Sequence, residues 1–407
     1  MTKKVDKVVA NELAQELISD LNKKFSKSID KIAFSLSEAE ATSIESWIPT
    51  GCDTLDMAIS NKPVGGWPVG RISEISGLEA SGKSLLAAYA LRSTQEMGGL
   101  AIYIDTESAV SREYLTAIGV DIENLMYIQL DTVEDVFDSI ESIIGRVRGS
   151  DKNTIVTIVV DSIMGASTKN ELSSDHGKDG YATEKALVLS KAMRKVTNLI
   201  SRQNICLILT NQLRQRMGIS FGDVYSTSGG KAVGFHSSVR VRLKSIGKIN
   251  ADIHGVKQAV GISTRAIVQK NRLGPPLKSV DYDIYFESGI DNYGSWLTTL
   301  KSYKLVKSGP WWKLPLSYIS TKLKDGNGEY KVIDYKGQII NPDSGEVKES
   351  EKEISFRAKD FAGWMTTNPE LRKWVYDMIC DRVLMDYKIN KDFGIDDIEK
   401  DDSIIDD

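Results

Sequence analysis

Gly77-Leu-Glu-Ala-Ser-Gly82-Lys83-Ser84 is a complete GxxxxGK[ST] pattern, and its spacing suits one kind of chemistry, the cradling of a polyphosphate. Glycines permit backbone conformations that turn successive N–H groups inward around phosphate oxygens. A helix starting at the lysine adds the partial positive charge of its N-terminus. Lys83 then reaches the β- and γ-phosphates, and the Ser84 hydroxyl is a ligand for Mg2+. The metal needs a second acid at the end of a buried strand. Thr154-Ile-Val-Thr-Ile-Val-Val-Asp161 supplies it, with Asp161 holding Mg2+ through water. Hydrolysis also needs a group that orients or deprotonates water. Two candidates stand at strand ends: Glu107 after Leu100–Asp105, and Gln212 after Ile205–Thr210. Position alone leaves Glu107 equally a surface or capping residue, and Gln212 equally a polar strand end. His176, His236 and His254 have no Cys or carboxylate neighbours at ligand spacing, so surface or core roles are expected of them.

These groups converge only if the chain places them at one edge of a sheet. The apolar run Ile72–Ile75 precedes the glycine-rich turn, and a helical pattern over Ser84–Met97 follows it. Further apolar runs lie at Leu100–Ile104, Leu125–Ile128, Ile155–Val160 and Ile205–Leu209. Helical patterns near 111–118, 132–148 and 181–201 separate them. Strands apolar throughout and alternating with helices predict an α/β fold, a mainly parallel twisted sheet covered on both faces. Strand-like stretches at 238–246, 262–270 and 280–287 extend it. Val9, Leu13, Leu17, Leu21 and Phe25 recur every four residues, which predicts an amphipathic N-terminal helix. The expected division is 1–46, N-terminal helix and linker; 47–308, core; 309–394, a small α+β domain; and 395–407, an acidic disordered tail. Trp311-Trp312 reads as a packing anchor.

Composition sets outer bounds. With 407 residues, 41% hydrophobic and 27% charged, the chain is long enough for two or three domains and does not resemble collagen, low-complexity sequence or a disulfide scaffold. It has no apolar run of about 18 residues, and Met1-Thr-Lys-Lys lacks the apolar segment of a secretion signal. A cytoplasmic protein without membrane spans is therefore expected. Three distant cysteines, Cys52, Cys206 and Cys380, fit a reducing compartment and no zinc site. The net charge of −4 is unevenly placed. Residues 396–407 hold seven acids and one lysine, which leaves 51 basic and 49 acidic side chains in the other 395 residues. The body is thus neutral to slightly basic. Two long polar segments interrupt it. Ser167–Gly180 carries Lys169, His176 and Lys178, and Arg214–Lys231 carries Arg214, Arg216, Lys231 and glycines at 218, 222, 229 and 230. Loops of this length in a compact domain serve a function or are disordered. Basic side chains and backbone N–H groups can neutralise phosphates without reading sequence; a protein-contact loop is the other reading.

The order of these tracts resembles the RecA-type homologous recombinases. The resemblance rests on Ile48-Pro-Thr-Gly-Cys-Asp-Thr-Leu-Asp56, Gly66-Trp-Pro-Val-Gly-Arg-Ile72, the phosphate loop, Tyr103-Ile-Asp-Thr-Glu107, Ile118-Gly-Val-Asp121 and Val159-Val-Asp-Ser162. It continues through Ser190-Lys-Ala-Met-Arg-Lys195, Asn211-Gln-Leu-Arg214 and Thr227-Ser-Gly-Gly-Lys231. Phe356-Arg-Ala-Lys-Asp360 is similar to the phage UvsX branch. The resemblance implies a RecA-like P-loop core that binds ATP and Mg2+. It implies nucleotide contacts by Gly77, Glu79, Ala80, Ser81, Gly82, Lys83, Ser84 and Leu85, with Tyr114 stacked on adenine. Glu107 matches the glutamate that activates water, and Gln212 the glutamine that couples ATP to the DNA loop. Phe235 matches an interface aromatic. Lys270 and Arg272 match two lysines that reach a neighbouring subunit's γ-phosphate; arginine keeps the charge and changes the geometry. Ser111 departs from the bacterial aspartate that reads the adenine amino group. Arg194 and Arg214 match phosphate contacts, Met217 an apolar wedge between base triplets, and Gly229, Gly230 and Lys231 backbone contacts to DNA.

The implied function is an ATP-dependent recombinase, a DNA-dependent ATPase that forms a homo-oligomeric helical filament on single-stranded DNA. It would pair that strand with homologous duplex DNA and carry out strand exchange, in the cytoplasm of a bacterial or phage-infected cell. The N-terminal helix would dock on a neighbouring subunit. A regulatory ATPase with the same core, or a ring helicase, would keep the phosphate site; ATPase stimulation by single strands and helical filaments separate the readings.

Overall fold

In the computed structural model, each apolar run of the core becomes a strand. The structure describes residues 7–24, 44–108, 110–149, 153–173, 181–201, 203–215, 225–227, 231–315, 332–333, 339–340 and 353–385. Residues 1–45 and 46–407 are two compact units. In the first, α1 (Lys7–Lys24) leaves Leu13, Leu17 and Leu21 exposed along one stripe. Phe25, the last residue of the predicted stripe, lies outside the described residues, as does the acidic run 396–407.

The second unit opens with β1 (Trp47–Ile48), α2 (Asp53–Ser60), β2 (Trp67–Pro68), β3 (Ile72–Gly77) and α3 (Lys83–Glu96). Next come β4 (Leu100–Asp105), α4 (Arg112–Ala117), β5 (Leu125–Gln129), α5 (Val133–Gly149) and β6 (Val156–Asp161). The chain continues through α6 (Lys169–Ser173), α7 (Tyr181–Ile200), β7 (Ile205–Gln215), β8 (Tyr225–Thr227) and α8 (Ala232–His236). Then follow β9 (Val239–Ile253), β10 (Val256–Asn271), β11 (Ser279–Tyr285), β12 (Gly289–Ile290) and α9 (Asn292–Ser302). The last part holds β13 (Trp312–Pro315), β14 (Val332–Ile333), β15 (Ile339–Ile340), β16 (Glu353–Phe356), α10 (Phe361–Thr367) and α11 (Pro369–Val383).

The main sheet runs β12-β11-β10-β9-β3-β7-β6-β4-β5, with β8 paired to β7. From β9 to β5 every pairing is parallel; β10, β11 and β12 are antiparallel additions. Alternation along each strand divides the core. Ala101 and Tyr103 of β4 and Val159 of β6 join the cluster around α2 and α3, whereas Ile102, Ile104, Ile158 and Val160 join the one under α5 and α7. A period of two with both faces covered is what makes these strands read as unbroken apolar runs. A third cluster joins Met57 of α2 and Trp296 and Leu300 of α9 to Phe356, Phe361 and Ile379 of the C-terminal part.

Four expectations need correction. The β5 run is apolar but lies at the sheet edge, where Met126 and Tyr127 remain 45% and 46% exposed. The first polar segment is partly helical, because α6 forms within it and Lys169 pairs with Asp135 of α5 at 2.7 Å. Strand β7 does not end before Gln212; it continues to Gln215, because β8 pairs with Leu213, Arg214 and Gln215 and supplies partners for their backbone. Of the two tryptophans, only Trp312 packs, against Phe356 at 6.4 Å between ring centroids; Trp311 is exposed, with the Arg357 guanidinium 4.9 Å from its ring centroid.

Candidate nucleotide-binding and hydrolysis site

The turn between β3 and α3 is built from its own backbone. Gly82 (φ 95°) stands in the left-handed region at the helix N-cap, where a Cβ would also lie 2.5 Å from Ile284 Cδ1 of β11. No side chain caps α3, so its first N–H groups are left for another acceptor, which suits an anion. Ser81 Oγ donates to Leu78 O at 2.8 Å, closing the loop from within. Lys83 Nζ donates to the same carbonyl at 2.8 Å. Burial pushes the Lys83 ammonium below its usual range, while Asp161, Glu107 and Glu79 pull it back. Ser84 is exposed on the first turn of α3.

The two acids come from the ends of neighbouring strands. Asp161, at the end of β6, is 9% exposed and accepts from Thr210 Oγ1 at 2.6 Å and from the Tyr103 hydroxyl at 2.8 Å. A carboxylate retains acceptor capacity beyond those two bonds. Burial, and then Asp161, push the Tyr103 phenol far above its ordinary range, so it remains a donor. Glu107 follows β4 on a turn held by Asp105, whose Oδ1 accepts from the N–H groups of Glu107 (2.9 Å) and Ser108 (2.8 Å). The Glu107 side chain is exposed, and its Oε1 accepts from the Ser162 hydroxyl. Gly165 N donates to Ser162 Oγ at 3.1 Å, and a Cβ on Gly165 would lie 2.6 Å from Glu107 Cγ. Glycine there leaves room for the glutamate. Tyr114 is partly exposed, its phenol pushed up to about 12 by burial, then Tyr89 and Asp161. Ser111 caps α4 by accepting from Tyr114 N at 3.0 Å.

Strand register brings Gln212 to the same edge, directly opposite Gly77. Beyond it β7 carries Arg214, exposed and opposite Ser226 of β8. Met217, Gly229 and Gly230 lie outside the described residues, as do His176, Lys178 and Arg216. Lys231 caps the start of α8, and Arg194 is exposed on α7.

Phe235, Lys270 and Arg272 gather elsewhere. Lys270 Nζ donates to Gly234 O and Phe235 O at 2.8 Å each, and Arg272 donates to Phe235 O at 3.1 Å. Phe235 is 67% exposed, with both cations 6.0 Å from its ring centroid. Register places Lys270 beside Arg240 and Glu74, and Arg272 N bonds Ser238 O, toward the start of β3, while the phosphate turn sits where β3 ends, at Gly77. Three residues of β3, Glu74 to Gly77, put the Lys270 backbone roughly 10 Å of strand from the turn, and Arg272 lies farther back beside Ser238. Within one subunit both cations are turned back onto the Gly234 and Phe235 carbonyls, away from the phosphate turn.

Sequence reading missed the residues that hold the acids. Tyr103 and Ser162 entered only as part of tracts that carry the resemblance and Thr210 only as a strand end, because their partners lie 58, 55 and 49 residues away. It also missed Glu74, fully buried on β3, which accepts from Asn211 Nδ2 at 2.8 Å and Arg240 Nε at 2.5 Å. An acid inside an apolar run was the available signal. Among the described residues no group of three His, Cys, Asp or Glu is arranged to hold a metal ion. Cys52, Cys206 and Cys380 are buried without a disulfide among those residues, and burial pushes the Cys52 thiol up to about 11. No helix among the described residues is long and apolar enough to cross a membrane.

Comparison with known proteins bears on this geometry. The family model for the RecA N-terminal domain matches residues 12–291. Protein RecA of Heliobacterium modesticaldum is 34% identical over 318 residues, covering 78% of this chain and 86% of that protein. Protein RecA of Clostridioides difficile is 37% identical over 317 residues, covering 78% and 85%. Protein RecA of Symbiobacterium thermophilum is 35% identical over 294 residues, covering 72% and 78%.

Proposed function

The chain belongs to the RecA family, and from that premise we propose a residue-level account of its activity. It is an ATP-dependent recombinase of recombination and repair, and a DNA-dependent ATPase. ATP lies on the turn Gly77–Ser84, with the uncapped N-terminus of α3 and Lys83 toward its phosphates and Tyr114 beside the base. Ser84 and Asp161 are the residues that would hold Mg2+, which when bound supplies charge neutralisation on the phosphate oxygens. Their donor set, one hydroxyl and one carboxylate, suits a hard cation completed by water and phosphate oxygens. Glu107, held by Ser162, accepts the proton of the attacking water. Gln212 stands opposite Gly77 on a strand that continues into the β7–β8 hairpin, so its position is transmitted directly to Arg214 and the DNA segment.

The observation that supports the assembly is that Lys270 and Arg272 stand back along β3 from the phosphate turn and are turned onto the Gly234 and Phe235 carbonyls. Cations so placed meet a phosphate in a second copy stacked head to tail, which gives a helical filament with ATP between subunits. Single-stranded DNA then runs along Arg194, Arg214, Met217, Gly229, Gly230 and Lys231, and homologous duplex DNA is the second substrate. The exposed stripe of α1 docks on the neighbouring subunit. ATPase rates with and without single-stranded DNA at low salt, with electron microscopy of the same mixtures, test the reading. Stimulation with helical filaments is expected; no stimulation rules it out.

A further inference from the structure

Tyr103 of β4 and Tyr127 of β5 are direct register partners in a parallel pair. Their rings stack with centroids 6.3 Å apart and planes 15° from parallel. Each hydroxyl reaches toward the carboxyl edge of the sheet and one strand onward. Tyr127 donates to Asp105 Oδ2 of β4 at 2.9 Å, and Tyr103 donates to Asp161 Oδ2 of β6 at 2.8 Å. The second oxygen of each acid is also committed. Asp105 Oδ1 holds the N–H groups of Glu107 and Ser108, and Asp161 Oδ1 accepts from Thr210.

The packing does not require these hydroxyls. Tyr103 is 1% exposed within an apolar cluster that a phenylalanine would fill equally, and a buried hydroxyl is tolerated only with a partner. Tyr127 is 46% exposed and could give its proton to water, yet it bonds the acid that shapes the Glu107 turn.

We propose that Tyr103 and Tyr127 are positioning residues for ATP hydrolysis: Tyr103 aims the Asp161 carboxylate, Tyr127 fixes the Asp105 turn that presents Glu107, and their stacking links the two arms. The proposal rests on the roles given above to Asp161 and Glu107. Partners of metal-binding carboxylates orient their ligands, and losing one lowers metal affinity by about 10- to 100-fold. The two hydroxyls therefore have separable effects, while the ring stack couples the two arms.

The test uses the full chain with Tyr103→Phe, Tyr127→Phe, Tyr127→Leu and Thr210→Val, with Asp161→Asn and Glu107→Gln as controls. Readouts are the Mg2+ dependence of binding of a fluorescent non-hydrolysable ATP analogue, the Mg2+ dependence of the ATPase, and kcat at saturating Mg2+. Tyr103→Phe is expected to raise the Mg2+ requirement about 10-fold in both binding and turnover, with kcat recovered at high Mg2+. Thr210→Val, which removes the other donor to Asp161, is expected to shift it in the same direction. Tyr127→Phe is expected to leave the Mg2+ requirement unchanged and lower kcat by about 3- to 10-fold, the net scale of one ordinary hydrogen bond, because Tyr127 is half exposed to water. An unchanged Mg2+ requirement in both Tyr103→Phe and Thr210→Val overturns the first half, and an unchanged kcat in Tyr127→Phe overturns the second. Tyr127→Leu, which removes the ring, is expected to raise the Mg2+ requirement where Tyr127→Phe does not; an unchanged requirement in Tyr127→Leu overturns the link. If Asp161→Asn or Glu107→Gln behaves as wild type, the underlying role fails, a result distinct from failure of the tyrosine variants alone.

Discussion

Glu107 is an exposed carboxylate with little freedom, since Asp105 fixes its backbone, Ser162 its carboxylate and Gly165 the space beside it. Glu107→Gln keeps this geometry and removes the proposed base. It is expected to bind ATP and DNA normally while turnover falls by about 10²- to 10⁴-fold, measured by phosphate release beside nucleotide binding. Lys83→Ala is expected to abolish nucleotide binding itself. Lys270 gives a pH signature. Burial, then Arg272 and Arg240, lower its pKa from the ordinary 10.5 to about 8. Above that pH the folded subunit loses this cation while the unfolded chain keeps it, so the contribution to folding stability rises between about 8 and 10. Assembly driven by ATP is expected to weaken over the same window, and Lys270→Arg to remove that loss, as read by light scattering and thermal melts. The residues proposed to cradle phosphate were legible because such a turn demands fixed spacing along the chain. Their supporters, Tyr103, Thr210 and Ser162, were not, because their bonds depend on which strands are neighbours.

Among the elements, β3 does two jobs at once, ending in the phosphate turn and burying Glu74 between Asn211 of β7 and Arg240 of β9. Glu74 is fully buried and Arg240 is mostly so. Removing the cation leaves a buried charge without its ion partner, so Arg240→Met is expected to cost about 3 kcal/mol, measured by urea unfolding with unchanged m-value. Parallel strands were legible from apolar runs with period-two burial on both faces. The β7–β8 hairpin was not, since Asn211–Gln215 is polar and its strand character comes from pairing with residues 225–227. β5 shows the converse: an apolar run predicted as buried is half exposed, because it borders the sheet.

For the whole molecule, residues 46–407 form one compact unit apart from 1–45. Deleting 1–45 is therefore expected to leave a folded monomer that binds ATP and no longer assembles, as read by analytical ultracentrifugation with nucleotide and DNA. The seven acids of 396–407 can compete with DNA phosphates for basic surface. Deleting them is expected to strengthen duplex binding, most at low salt, where charge is least screened; a titration against salt measures it.

The amino-acid sequence by itself determined the glycine-rich turn after β3, the acid at the end of β6, the alternation of strands and helices, and hence the family. Each depends on neighbours along the chain: a glycine-rich spacing, an acid after an apolar run, a period of two or 3.6. Only the tertiary structure decided that Lys270 and Arg272 stand back along β3 from Gly77, turned onto the Phe235 carbonyl, and that two stacked tyrosines hold the acids. Those facts follow from strand order and register, which long-range packing fixes and local spacing does not encode.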